Sequence, residues 1–201
     1  PRRLPYEVRA AAGILSEMVA TRLSALESLA AAQTEFLVRR LEQHVVDSLA
    51  TSGDWRNALF SSPKLLLQAV DASGAALVHE GEVLTAGDVP SSGDIRGIVR
   101  WLGEQHPGDQ VVSTHRLIAQ APGLSHLLTS AAGVLAISLS GRGRDYLLWF
   151  RPQQTQTLRW GGDPRKPIDP NDPAHLSPRR SFAVWTEVTR GTSRPWTEAE
   201  E

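Results

Sequence analysis

The residues with the clearest chemical potential in this 201-residue chain lie near its C-terminal end. Two tryptophans, Trp160 and Trp185, bracket a stretch rich in proline and aspartate, and the sequence PRRSF comes shortly before the second tryptophan. Arg179 presents a planar guanidinium fork suited to a carboxylate in partly buried surroundings. Ser181 offers a short hydrogen bond, and Phe182 supplies an apolar anchor. Together these side chains predict a recognition surface rather than a reaction centre.

Patterns typical of catalytic or metal sites are missing from the sequence. The chain has no cysteine, which excludes a thiolate ligand, a disulfide and a thioether-linked cofactor within this segment. The six histidines show no HxxxH or HExxH spacing, and neither a GxSxG elbow nor a P-loop is present. The pair His115 and Arg116 is interpreted as a surface or hydrogen-bonded pair at the end of an element. The sequence therefore predicts no metal site and no enzymatic activity for this segment.

Charge and hydropathy narrow the possible partners. With 21 Lys and Arg against 22 Asp and Glu, the net charge is −1, which argues against general binding to nucleic acid or to an anionic membrane. No apolar run approaches the roughly 18 residues that a membrane-spanning helix needs, and the first residues lack the apolar core of a signal peptide. We therefore expect a cytoplasmic protein with no nucleic-acid or membrane partner.

A long helix is predicted at the start of the chain. From Tyr6 to Leu49 there is no proline and one glycine, and apolar residues recur mostly three or four positions apart. Such a helix would be about 65 Å long, more than a compact domain of this size needs for its own core. Two interpretations stay open: a helix broken near residues 30–34 that packs on one domain, or a continuous spine that pairs with a second copy of the chain.

The middle of the chain alternates between strand and helix patterns. Helices are expected over residues 54–60, 95–102 and 122–131. Strands are expected over residues 65–70, 75–79, 83–86, 133–140, 145–151 and 155–160. The fold class is therefore α+β: a GAF/PAS-like antiparallel sheet flanked by helices, with the long N-terminal helix in front.

Seven of the 13 prolines and three of the six tryptophans lie after Arg151. Residues 161–177 are too rich in Pro and Asp to form a core, yet large aromatic residues flank them, which favours a functional loop. The segment from Phe182 to Thr189 fits a strand and a helix about equally well, because its apolar residues match both periods. An element with two conformations would need such a conflict.

Three short motifs in this order, after a sheet and a long helix, resemble the PHY domain of bacterial phytochromes, the red/far-red photoreceptors. The motifs are WGG (Trp160, Gly161, Gly162), PRxSF (Pro178, Arg179, Ser181, Phe182) and WxE (Trp185, Glu187). The resemblance covers essentially the whole chain. It implies a spine helix from a preceding GAF domain over residues 1–50, a GAF-like core over 51–160, a protruding tongue over 161–189, and a return to the core with the start of an exit helix over 190–201.

The resemblance also implies how the tongue would work. The tongue would reach the bilin pocket of the adjacent GAF domain and seal it, with Pro178, Arg179, Ser181 and Phe182 at the contact. In the red-absorbing state it would be a hairpin in which Arg179 pairs with an aspartate beside the chromophore. In the far-red-absorbing state the returning arm would become a helix, Ser181 would take over that aspartate, and Trp185 would replace Trp160 at the interface.

The same resemblance implies partners that lie outside this segment. The parent receptor would carry a biliverdin-type bilin, dimerise through its long helices and signal to an output module, commonly a histidine kinase. The segment alone would bind no pigment, because the chromophore cysteine and the pocket aspartate belong to other domains. Two alternatives remain: a stand-alone GAF-like domain that binds a small ligand under its own aromatic loop, and a dimerisation module without a switch.

Overall fold

The computed structural model describes residues 5–140, 144–160, 185–189 and 191–201, with the backbone alone for residues 52, 156–160 and 185–189. The chain divides into two compact units. The first contains residues 1–71 together with Thr197–Glu200, and the second contains Ala72–Trp196 together with Glu201. The first unit is helical where described, and the second carries the strands.

Helix α1 runs without a break from Tyr6 to Ser52. It ends at Gly53, whose backbone has a left-handed conformation (φ 70°) and whose N–H donates to the carbonyl oxygen of Leu49 at 2.8 Å. Glycine adopts this conformation without the steric cost that a Cβ would add. Glycine and small polar residues at Thr51-Ser-Gly53 thus end the helix, whereas the alternative of a break near residues 30–34 is wrong.

Two short helices follow in the first unit, α2 over Trp55–Phe60 and α3 over Pro63–Gln68. Asp54 caps α2 by accepting a hydrogen bond from the N–H of Arg56 at 2.9 Å. The predicted strand over residues 65–70 is wrong, because these residues belong mostly to α3. A six-residue apolar run fits a buried strand or a buried helix, and Pro63 in the first helical turn favours the helix.

The second unit is built on a five-stranded antiparallel sheet of β1 (Gly74–His79), β2 (Glu82–Gly87), β3 (Val111–Thr114), β4 (Gly133–Ser138) and β5 (Tyr146–Arg151). The strand order in the sheet is β2-β1-β5-β4-β3. Strand β3 was not predicted, because four residues are too few for an alternating pattern to stand out. Glu80 and Gly81 form the turn between β1 and β2: both have positive φ, as a two-residue hairpin loop requires.

Helix α4, over Ser92–Gln105, covers one face of this sheet. Its buried residues Ile95, Ile98, Val99 and Leu102 recur every three or four positions and pack in one core cluster with alternate residues of β1, β4 and β5. A short helix α5 (Leu117–Gln120) and a 3₁₀ helix (Pro122–Leu127) follow β3. The predicted α+β class, with an antiparallel sheet and a long N-terminal helix, is confirmed.

Candidate functional site

A separate two-stranded hairpin stands at the place where the sequence predicts a functional loop. Strand β6 (Gln156–Trp160) pairs antiparallel with β7 (Trp185–Thr189). The register places Trp160 directly opposite Trp185 and Leu158 opposite Glu187. The backbone therefore places the first tryptophan of the WGG motif opposite the tryptophan of the WxE motif, and residues 185–189 form a strand rather than a helix.

Backbone hydrogen bonds attach the chain on both sides of this hairpin to the rest of the second unit. Before β6, the N–H of Gln153 donates to the carbonyl oxygen of Leu128 at 3.0 Å. After β7, the N–H of Ser193 donates to the carbonyl oxygen of His115, also at 3.0 Å. Between the two ends, the N–H of Gln154 donates to the carbonyl oxygen of Thr192 at 2.9 Å. The chain thus leaves the sheet and returns to it at one place.

Of the nine predicted site residues, the structure describes the backbone of three. The backbones of Trp160, Trp185 and Glu187 lie in the paired strands. Six others lie outside the described residues: Gly161, Gly162, Pro178, Arg179, Ser181 and Phe182. Their roles remain predictions.

Sequence reasoning missed two residues beside the hairpin, Arg151 and Trp196. Arg151 ends β5 with only 3% of its surface exposed, and its guanidinium lies 3.7 Å from the centre of the Trp196 ring. The sequence does mark Arg151 as unusual, because it is the single charged residue in the otherwise apolar strand YLLWFR. What the sequence could not indicate was that this arginine faces inward and meets a residue 45 positions later.

Two histidines in the second unit, His126 and His106, each pair with a single carboxylate. His126 Nε2 lies 2.8 Å from Asp94 Oδ1, and His106 Nδ1 lies 3.2 Å from Asp109 Oδ2. The hydrogen bond from His126, followed by that from Ser91, holds the pKa of Asp94 below its ordinary value of 3.8. Each pair contains one acid and one histidine at most partly buried, which is typical of surface stabilisation.

The hydrogen-bonded interpretation of His115 and Arg116 is confirmed. The side-chain Nε of Arg116 donates to His115 Nε2 at 3.0 Å, and the backbone N–H of Arg116 donates to the hydroxyl oxygen of Thr114 at 3.1 Å. This pair follows β3 directly, at the end of an element.

An open cleft of about 1000 Å³ lies at the opposite end of β5 from the hairpin. Arg96 and Arg100 of α4 line one side, and Arg144 and Asp145 line the other, where β5 begins. Strand β5 has six residues, so roughly 20 Å of strand separates this cleft from the residue at which the chain leaves for the hairpin. The base of the hairpin is therefore not adjacent to the cleft.

Within the described ranges, no group of three or more His, Asp or Glu side chains could hold a metal ion. None of the described helices combines the length and the apolar character needed to cross a bilayer.

Helix α1 presents a second candidate surface. Leu15, Met18, Leu26 and Leu29 lie on one side of the helix, and each is more than half exposed. Arg22 interrupts this row. An apolar row of this length on one face of a helix is typical of a protein interface.

Comparison with known families gives a match over most of the chain. The model described as "Phytochrome region", PHY, matches residues 38–201. Among curated proteins, cyanobacterial phytochrome B of Nostoc sp. is 34% identical over 198 residues, which cover 98% of this chain and 26% of that protein. Phytochrome C of Sorghum bicolor is 31% identical and is covered to 17% of its length. The chain thus spans about a quarter or less of these two relatives.

Solved structures agree with this match. A bacteriophytochrome from the photosynthetic bacterium R. palustris superposes with a TM-score of 0.73 at 30% identity, covering 100% of this chain and 40% of that one. The photosensory core module of a Stigmatella aurantiaca phytochrome gives a TM-score of 0.71 at 32% identity, covering 99% of this chain and 40% of that one. The resemblance inferred from the three motifs is confirmed.

Proposed function

Since this chain belongs to the PHY family of phytochrome regions, we propose that it is the regulatory domain of a red/far-red bilin photoreceptor. In this proposal residues 1–50 are the spine helix from a preceding GAF domain, 51–160 the GAF-like core, 161–189 the tongue and 190–201 the return to the core. The segment itself catalyses nothing; it controls the state of a pigment held by the neighbouring domain.

The observation that carries this proposal is the pairing of Trp160 with Trp185. The chain therefore leaves at Trp160 and comes back at Trp185, directly opposite. An arm that reaches a neighbouring domain and returns must have its two ends together in this way. The hairpin pairs with no other strand in the described part of the chain. A two-stranded hairpin alone is marginally stable in water, so its conformation would depend on what its tip contacts.

The contact we propose is the bilin pocket of the adjacent GAF domain. Arg179 pairs with a carboxylate beside the chromophore while the arm is a hairpin, and Pro178 and Phe182 fix the approach of that arm. After photoconversion the returning arm becomes helical and Ser181 takes over the carboxylate. Trp185 then replaces Trp160 at the interface, next to Gly161, Gly162 and Glu187.

The remaining partners complete the proposed receptor. A biliverdin-type bilin is the chromophore, bound outside this segment, and a histidine kinase is the proposed output module of a cytoplasmic two-component system. The exposed apolar row of α1 supports a homodimer through the long helices. The alternative of a ligand-binding domain closed by its own loop has less support, because the cleft of about 1000 Å³ lies at the far end of β5 from the hairpin base, and the cavity beside Pro152 is smaller, about 420 Å³.

A difference spectrum tests the proposal. The segment, joined to its natural upstream sequence and assembled with biliverdin, should show a reversible red/far-red difference spectrum. Deleting residues 161–184 and joining the hairpin with a short Asn-Gly turn should keep pigment binding but impair formation of one photostate. A full-length protein that binds no bilin, or a deletion variant that photoconverts normally, would refute the proposed role of the tongue.

A further inference from the structure

The place where the chain returns from the hairpin to the sheet is held by an unusual set of contacts. We call residues Gly191–Trp196 the return segment. Within it Ser193 is 2% exposed and Trp196 is 9% exposed, although the segment has no regular secondary structure before residue 197. A segment without a strand or helix of its own needs specific partners to be buried.

Arg151 supplies the first of these partners. Its Nη1 donates to the carbonyl oxygen of Pro195 at 2.8 Å and makes a longer contact with that of Arg194 at 3.4 Å. The guanidinium also lies over the Trp196 ring at 3.7 Å from its centre. A buried arginine is costly unless its charge is compensated, and carbonyl oxygens with an aromatic face do so in part. These contacts join the last residue of β5 to the end of the return segment.

The opposite strand supplies the second partner. Gly133 of β4 stands directly across from Arg151 in the sheet register. A Cβ at Gly133 would lie 2.0 Å from the hydroxyl oxygen of Ser193. The absence of a side chain at this position is therefore what lets Ser193 approach and bind its N–H to the carbonyl oxygen of His115.

Trp196 closes the set. Its Nε1 donates to the carbonyl oxygen of Thr114, the last residue of β3, at 3.1 Å. The return segment thus reaches three consecutive sheet strands: β5 through Arg151, β4 through Gly133, and β3 through Thr114. By contrast, β7 pairs with β6 alone among the described strands.

We propose that Arg151, Gly133, Ser193 and Trp196 form a clamp that keeps the return segment on the sheet in both photostates. This inference rests on the proposed function, because it assigns the clamp a role in the switch. Refolding of the arm then stops at residue 191 instead of spreading into the core. Arg151 is a positioning residue in this mechanism, since it acts through Trp196 and touches no pigment.

Hydrogen exchange on the full-length receptor, followed by mass spectrometry or NMR in each photostate, tests the clamp. In the unmodified receptor the amides of Gln154 and Ser193 should stay equally protected in red and in far-red light, while those of residues 185–189 differ. Arg151→Lys keeps the charge but loses the fork, and should speed exchange at Ser193 by about tenfold. Arg144→Lys at the other end of β5 is the matched control and should leave it unchanged.

Gly133→Ala and Trp196→Phe provide independent variants if Arg151→Lys folds poorly. The first pushes Ser193 away from β4, and the second removes one donor while keeping an aromatic face; both should speed exchange at Ser193 without changing the ground-state absorption spectrum. Protection at Ser193 that is unaffected by all three variants, or that is lost in one photostate of the unmodified receptor, would overturn the clamp. Hydrogen exchange in the ground state needs no photoconversion. If the receptor showed no photochemistry, the proposed function would be refuted, but exchange at Ser193 would still test the contacts of the clamp.

Discussion

Among single side chains, Arg179 carries the most specific chemical expectation. Its planar fork can bind a carboxylate through two parallel hydrogen bonds, which a lysine cannot imitate. It is followed by a second arginine, Arg180, with the same charge and a different position in the PRxSF motif. Comparing substitutions at Arg179 and Arg180 therefore separates the effect of losing a positive charge from the effect of losing it at one particular position.

In the proposed receptor, Arg179→Ala should destabilise the photostate for which we propose a hairpin tongue. A hydrogen bond to a charged group typically contributes about 1.5–3 kcal/mol, so thermal reversion should change by roughly ten- to a hundredfold. Absorption spectra and reversion kinetics measure this effect, and Arg180→Ala is the control. Identical spectra and kinetics for Arg179→Ala and the unmodified receptor would contradict the assigned contact.

Asp94 offers a residue-scale prediction within the folded core. Ser91 caps α4, donating through its hydroxyl to Asp94 and accepting from the N–H of Asp94, while His126 binds the other carboxylate oxygen. These bonds lower the pKa of Asp94 in the folded state. The stabilisation is therefore complete at pH values above the ordinary value of 3.8 and is lost as the pH falls through the lowered pKa.

Asp94→Asn should lower the midpoint of thermal unfolding at pH 7 by about 1–3 °C, which is the range expected for an exposed pair of this kind. The difference from the unmodified chain should shrink as the pH is lowered below 3.8. Glu104→Gln, at the far end of the same helix, is the control. A difference that persists unchanged at low pH would show that the carboxylate charge is not the cause.

Among the secondary-structure elements, the hairpin of β6 and β7 is the one whose conformation the proposed switch would change. The segment from Phe182 to Thr189 suits a helix as well as a strand by periodicity, and its described residues 185–189 form a strand. Opposite residues alternate between wide and close spacing in an antiparallel pair, and the close type suits a disulfide. This segment contains no cysteine, so a competing thiol could come only from another domain of the receptor.

Two adjacent double variants, Gln156→Cys with Thr189→Cys and Thr157→Cys with Val188→Cys, include one pair of each spacing. The variant that forms the disulfide should hold the strands together and reduce accumulation of the far-red-absorbing state under red light. Reduction should restore normal accumulation, and the single-cysteine variants should behave as the unmodified receptor. Full photoconversion of a receptor with a verified disulfide would contradict refolding of this part of the arm.

For the molecule as a whole, the exposed apolar row of α1 is the surface on which the proposed homodimer depends. Leu15 and Leu26 are 61% and 57% exposed and lie on the same side of the helix. Burying a leucine contributes about 1.5–3 kcal/mol. A second copy of α1 is the proposed occupant of this surface, and Arg22 within the row argues against a strict heptad seam.

Leu15→Glu and Leu26→Glu should each raise the dissociation constant of the proposed homodimer by at least about tenfold. Sedimentation at a series of concentrations measures this constant. Ser24→Glu adds the same charge on the opposite face of α1 and should leave it unchanged. Equal effects of all three substitutions would indicate general charge repulsion rather than a defined interface.

The sequence by itself determined the features that depend on neighbours in the chain. The long helix and its stop at Gly53, the turn at Glu80 and Gly81, and the cap at Ser91 follow from local backbone chemistry. The order of the WGG, PRxSF and WxE motifs likewise indicated the family, because a motif is itself a local pattern.

Only the tertiary structure decided the features that depend on distant residues. Residues 65–70 are mostly helical, Val111–Thr114 form an edge strand, and residues 185–189 pair with 156–160. In short segments the periodicity of apolar residues is too weak to favour helix over strand, so tertiary packing and strand pairing determine the conformation. The inward turn of Arg151 toward Trp196 is of the same kind: a buried charge becomes tolerable only when residues far along the chain supply its partners.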